Sequence, residues 1–235
     1  MYDTIGLSTT DVLILCGGSG TRLRSISGEE QKVLVELAGK PFIDILIESL
    51  LPFGFKRFVL CVGYRKDHVK EHFMGRSFEV LFSEENEPLG TGGAIKNAMP
   101  YIASSPFLVL NGDSFCRIDY GQFFKFHRQK GGLLSMVLAK PLPEIDYGII
   151  DIDGNRRITS FQEKAEGLKV NYINAGIYLL TREVFQFMPQ TAKFSLEYDF
   201  FPKVITYGCY GFVVDGDVID IGTPERYSRA KIMIS

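Results

Sequence analysis

An apolar run at residues 12–16 (VLILC) passes without transition into Gly17-Gly18-Ser19-Gly20-Thr21-Arg22-Leu23-Arg24, and no other stretch restricts the fold so tightly. The run fits a strand covered on both faces. Such a strand delivers its loop to the carboxyl edge of a sheet, where open α/β sheets bind ligands. Glycines let backbone N–H groups approach an anion without interference from Cβ. Arg22 and Arg24 add forked cationic donors suited to phosphate. The loop is no P-loop, since no Gly-Lys-Ser/Thr follows. It is a poor dinucleotide fingerprint, since Leu23 stands where a third glycine belongs. The glycines alone would fit a plain tight turn; Thr21, Arg22 and Arg24 weigh toward an anion.

The same figure recurs at residues 107–110, where an apolar run feeds Asn111-Gly112-Asp113-Ser114. Further apolar runs at 57–62, 78–82 and 133–139 read as strands. Pro41 opens a helix whose Phe42, Ile45, Leu46 and Leu50 fall at helical spacing. Shorter helices are expected at 67–74, 94–99 and 120–129, with a polar loop over 84–93. This alternation predicts βαβ units and a mostly parallel sheet flanked by helices. After Pro143 the texture changes. Residues 148–152, 158–163 and 170–180 read as an antiparallel insertion covering one side of the sheet. Short helices follow at 182–188 and 199–205. Strands at 211–214 and 218–221 flank Asp215-Gly216-Asp217, a hairpin turn signal. A last helix has Pro224 in its first turn.

The chain has 235 residues, a net charge of −2 and 46% hydrophobic residues, enough for a sizeable core. No global basic field draws it to nucleic acid or anionic lipid. Cys16, Cys61, Cys116 and Cys209 form no CxxC pair. No leader is expected from the short polar start, and no apolar run approaches the ~18 residues of a membrane span. A cytoplasmic protein with reduced thiols is expected, with residues 1–10 a flexible lead-in.

Asp113 closes an apolar strand and Asp220 lies between Ile219 and Ile221. A buried carboxylate needs a cation or several donors. Together the two could hold one Mg²⁺ with room for phosphate oxygens and water; two local caps are the alternative. His68-Val69-Lys70-Glu71-His72 matches the HxxEH pattern, but its flanks are polar and no third ligand is in view, so a solvated helix face is expected.

These pieces form a set. Leu15-Cys16-Gly17-Gly18-Ser19-Gly20-Thr21-Arg22-Leu23 with Lys32 beyond it resembles the signature of sugar-1-phosphate nucleotidylyltransferases. So do Glu87-Pro88-Leu89-Gly90-Thr91-Gly92-Gly93, Asn111-Gly112-Asp113, Glu163-Lys164, Asn174-Ala175-Gly176 and Asp220-Ile221-Gly222-Thr223-Pro224-Glu225, all in order. The resemblance implies a Rossmann-like mixed α/β sheet over 11–235, with a sugar-binding subdomain at about 141–200. It implies that Leu15, Cys16, Gly17, Gly18, Gly20 and Thr21 cradle a nucleotide and that Arg22 and Lys32 bind its phosphates. Asp113 and Asp220 would hold Mg²⁺. Gly148, Glu163 and Asn174 would bind sugar hydroxyls, and Lys164 the sugar phosphate. The sugar phosphate attacks the α-phosphorus and pyrophosphate leaves. Two motifs depart from the family pattern. The usual Pro-Lys-Pro is Gln31-Lys32-Val33, a change expected to loosen that loop, and Glu-Lys-Pro is Glu163-Lys164-Ala165. The chain is also expected to lack the β-helix extension of many longer relatives.

Glu85 stands where relatives that read uracil or thymine carry glutamine. A carboxylate only accepts. Guanine offers two adjacent donors, which Glu85 could take while the Gly90 backbone and Thr91 complete the site; uracil offers one donor between acceptors. GTP is therefore expected. Within the family the sequence is most similar to guanylyltransferases of D-glycero-α-D-manno-heptose 1-phosphate, which supply heptose for bacterial capsules, S-layers and lipopolysaccharide. Mannose 1-phosphate, or a UTP-dependent reaction, is the alternative. A metal-dependent glycosyltransferase is the rival class, since Asn111-Gly112-Asp113 resembles its acidic motif. Homo-oligomers occur in the family and are compatible with this reading.

Overall fold

The structure is a computed structural model and describes residues 6–18, 20–28, 30–141, 148–163 and 171–234. Strand β1 (Asp11–Leu15) is followed by one turn of helix, α1 (Arg24–Ser27), a small ladder of β2 (Glu36–Leu37) and β3 (Lys40–Pro41), and helix α2 (Phe42–Leu50). Next come β4 (Arg57–Val62), α3 (Lys66–His72), β5 (Glu79–Glu84) and α4 (Gly90–Asn97). The chain continues through β6 (Phe107–Asn111), β7 (Ser114–Cys116), α5 (Tyr120–Lys130) and β8 (Leu134–Ala139). Then follow β9 (Gly148–Ile152), β10 (Ile158–Glu163), β11 (Tyr172–Leu180), α6 (Phe201–Val204), β12 (Cys209–Val213), β13 (Val218–Asp220) and α7 (Pro224–Ile234).

Strands β6, β1, β4 and β5 lie side by side and parallel. β11 runs antiparallel to β6, and the sheet continues through β9 to β10. β8 joins β11 to β12. The apolar runs follow from burial on both faces. Val12 and Ile14 enter a core shared with α2, α5 and α7, while Leu13 enters a second core with α4 and α6. In α2, the buried residues Phe42, Ile43, Leu46, Ile47 and Leu50 form one helical stripe. Each such side chain stabilises the fold by about 1.5–3 kcal/mol. Helix α5 starts where the Asp119 carboxylate accepts from Gln122 N at 3.0 Å and stops at left-handed Gly131.

The mixed, mostly parallel sheet agrees with the sequence reading, and three details differ. Strands β9 and β10 lengthen the sheet at its edge rather than cover one side. Strands β12 and β13 are no hairpin: β12 pairs with β8, and β13 pairs antiparallel with β7 in a separate ladder. Helix α4 begins at Gly90, inside the expected loop. Gly92 and Gly93 donate their N–H groups to Phe194 O at 3.1 and 3.2 Å. A Cβ on Gly92 would strike the Phe194 ring and one on Gly93 the Ala192 carbonyl, so both positions demand glycine, a residue that reads as loop in sequence. Of the lead-in, Leu7–Thr9 is a 3₁₀ turn with Leu7 buried, and residues 1–5 lie outside the described residues. Among the described residues no helix is long and apolar enough to cross a membrane.

Candidate active site

The parallel strands β1 and β6 pair Leu15 with Asn111, so their two loops emerge together. Gly112 N donates to Leu15 O at 3.0 Å, and Cys16 N to Cys61 O at 2.8 Å. Burial pushes the Cys16 thiol well above its ordinary pKa, so it is a core thiol rather than a nucleophile. Gly20 is left-handed (φ 61°), and a Cβ there would stand 3.2 Å from Cβ of Lys32. Beyond it a 3₁₀ turn buries Leu23 and leaves Arg22 exposed.

These loops border a cavity of about 660 Å³. Leu15, Cys16, Gly17, Gly18, Gly20, Thr21 and Arg22 line it, with Lys32, Glu85, Gly90, Thr91 and Asp113. Every residue assigned from sequence to the nucleotide thus faces one space.

Lys32 reaches that space from a 3₁₀ turn. Its Nζ lies 2.5 Å from Asp113 Oδ2 and is largely buried. Asp220 comes from β13, whose register sets it opposite Ser114, and Ile221 N donates to Asp113 O at 3.0 Å. The ladder thereby brings the two aspartates together. Asp220 accepts from Gly222 N and pairs with Arg226 Nη1 at 2.8 Å. Burial, then the Asp113 charge, pushes its carboxyl above the usual range, against the pull of Arg226. Two mutually repelling carboxylates beside a cavity are donor chemistry that fits a hard divalent cation. Among the described residues no cluster of three His, Cys, Asp or Glu gathers, so further ligands would be substrate oxygens and water.

Glu85 is 8% exposed at the end of β5. Its Oε2 accepts from Leu89 N at 3.0 Å, and Oε1 lies against Gly17. Burial raises its pKa, and the Leu89 bond acts in the opposite direction. Gly90 is left-handed, and a Cβ there would stand 2.6 Å from Phe194 O. The Thr91 hydroxyl donates to Glu197 Oε2 at 2.7 Å and accepts from Leu196 N at 2.9 Å, so it already has protein partners.

On the expected sugar side, Gly148 and Glu163 pair across β9 and β10. The Asn174 amide is engaged at both ends, donating to Tyr178 OH at 2.7 Å and accepting from Gly176 N at 2.9 Å. Lys164 lies outside the described residues. In the HxxEH stretch, His72 pairs with Asp44 at 2.9 Å in a half-buried contact, while His68 and Glu71 are exposed.

Sequence reading missed three cavity-side features. Asn111 lines the cavity, and its buried Oδ1 has no hydrogen-bond partner among the described residues. Arg226 is the counter-ion of Asp220, visible in sequence only as a polar residue on the last helix. Gln31 is buried against the glycine loop, where a loosened segment had been expected.

The model of the nucleotidyl transferase family matches residues 11–234. A D-glycero-α-D-manno-heptose 1-phosphate guanylyltransferase of Campylobacter jejuni is 37% identical, over 92% of this chain and 96% of that one. Mannose-1-phosphate guanyltransferase 2 of Candida glabrata is 36% identical over 92% of this chain, but over 62% of that longer protein. The crystal structure of HddC from Yersinia pseudotuberculosis is 39% identical, with a TM-score of 0.84 over 96% of this chain and all of that one. Its complex with GMP-PN superposes with a TM-score of 0.82 over the same shares.

Proposed function

The chain belongs to the nucleotidyl transferase family, and we propose from that membership that it transfers GMP from GTP to D-glycero-α-D-manno-heptose 1-phosphate, yielding GDP-heptose and pyrophosphate. The observation that carries the guanine reading is the Glu85 carboxylate, nearly buried, lining the cavity with one oxygen against the glycine loop. It offers acceptors only, matching guanine N1–H and the 2-amino group. The names of the similar proteins and the GMP-PN complex of HddC support the same base.

The reaction needs positioning and charge more than covalent chemistry. An oxygen of the sugar 1-phosphate attacks the α-phosphorus in line, the bond to the β-phosphate breaks, and pyrophosphate leaves. Backbone groups from Leu15 to Thr21 cradle the triphosphate, and Arg22 and Lys32 neutralise it. Gly90 completes the base edge through its backbone, and Thr91 fixes the segment behind it. Asp113 and Asp220 are the residues that would hold Mg²⁺. When bound, the metal supplies charge neutralisation and polarises the phosphoryl oxygens. Gly148, Glu163 and Asn174 bind sugar hydroxyls, with Lys164 on the sugar phosphate, in a subdomain spanning about 141–200 of the single domain. The reaction belongs to the cytoplasm, where nucleoside triphosphates are held.

Mannose 1-phosphate is the second reading, favoured by the near-equal identity to the Candida enzyme. Mass spectrometry of the product formed from GTP with each sugar phosphate separates the two. Heptose incorporation at the higher kcat/KM is expected; a faster reaction with mannose 1-phosphate would overturn the acceptor assignment.

A further inference from the structure

Gln31 is 1% exposed although its side chain is a polar amide. Burying such a group is costly unless both ends are bonded. Both are. Nε2 donates to the carbonyl of Cys16 and lies 3.4 Å from that of Gly18, while Oε1 accepts from Val33 N at 2.9 Å. The glycine loop and the lysine turn, 13 to 15 residues apart in sequence, are thus fastened through one side chain. Lys32, the next residue, packs its stem against Gly20 and sends Nζ to Asp113. The carbonyls of Cys16 and Gly18, once bonded to Gln31, are turned toward the amide. A peptide unit is planar, so the bond to the Cys16 carbonyl fixes the direction of the Gly17 N–H group.

We propose that Gln31 is a positioning residue for the triphosphate: its amide locks the orientation of the glycine-loop peptides and sets that loop's distance from Lys32. The proposal rests on the nucleotidyl-transfer reading above. A proline at this position, whose ring stiffens the turn locally, could not make this link. The backbone of Gln31 (φ −68°) would accept proline, so what distinguishes glutamine here is its reach across to the other loop.

The test compares wild type with Gln31→Met, which keeps the volume and removes every amide bond, and Gln31→Glu. The glutamate keeps the acceptor for Val33 N but sets a carboxylate against two carbonyls. Steady-state kinetics give kcat and the KM of each substrate, and calorimetry gives the affinity for a non-hydrolysable GTP analogue. Both variants should raise the KM for GTP and weaken the analogue by about tenfold, with Gln31→Glu at least as impaired, while the KM for the sugar phosphate is unchanged. A role in folding alone would lower kcat through the active fraction and leave both KM values and the analogue affinity at wild-type levels. That result overturns the proposal, as does a Gln31→Glu protein with wild-type GTP affinity. A wild-type protein that binds no nucleoside triphosphate overturns the functional reading, and the proposal with it.

Discussion

Gly17 and Glu85 are in contact: a Cβ built on Gly17 would stand 2.8 Å from Oε1 of Glu85. The smallest residue of the glycine loop makes room for the carboxylate proposed to read the base. Gly17→Ala should therefore push Glu85 aside and act on base choice. We expect it to lower kcat/KM for GTP by about 10- to 100-fold, the worth of hydrogen bonds to a charged group, and to affect UTP less. Glu85→Gln should do the same. Because the two residues touch, the double variant should be no worse than the worse single one. Equal losses for GTP and UTP would remove Glu85 from base reading.

Asp113 and Asp220 are held side by side by the β7–β13 ladder and the Ile221–Asp113 backbone bond. Asp113→Asn or Asp220→Asn should lower kcat by at least about 10³-fold with an unchanged circular dichroism spectrum. Activity surviving either change contradicts the metal assignment.

A binding readout tests the same pair without turnover. Burial and the Asp113 charge raise the Asp220 pKa in the folded state. That shift opposes folding increasingly as pH rises from the unfolded value through the folded one, and it is absent below both. Mg²⁺ held by this pair would relieve the repulsion and should raise the melting temperature at neutral pH. For a chain of this size each kcal/mol of binding is worth about 2–4 °C. Asp220→Asn should lose the shift. An equal shift in wild type and variant would place the cation elsewhere.

His127 bears on stability alone. It is buried, bonded to Ser135 Oγ at 2.8 Å, and burial lowers its pKa from 6.5 to about 4. The unfolded chain takes up a proton that the folded ring refuses. Its contribution is complete above about pH 6.5 and is lost as pH falls toward about 4, by about 3 kcal/mol. Urea titrations at pH 7 and pH 4 should show wild type losing that much more than His127→Gln. Parallel losses would contradict the buried, neutral ring.

The parts of the site that lie on strand ends were legible in sequence. Residues 12–16 and 107–110 are apolar because both sheet faces are covered, so the loops behind them could be located. Glu85 could be found because the resemblance sets it where relatives that read uracil or thymine carry glutamine. What depends on distant pairing was not legible. Nothing local in Val218–Asp220 says that it pairs with Ser114–Cys116 rather than with the strand before it. Gln31 reads as a lost proline in sequence, since its partners are carbonyls in another loop. Gly92 and Gly93 read as loop because the Phe194 ring and the Ala192 carbonyl, which leave no room for a Cβ there, are supplied from far along the chain.

The most direct test crosses the four nucleoside triphosphates with a panel of sugar 1-phosphates in Mg²⁺ and follows pyrophosphate release. The account predicts release with GTP and D-glycero-α-D-manno-heptose 1-phosphate, weaker release with GTP and mannose 1-phosphate, and little with UTP. Preference for UTP, or no pyrophosphate with any pair, would contradict it.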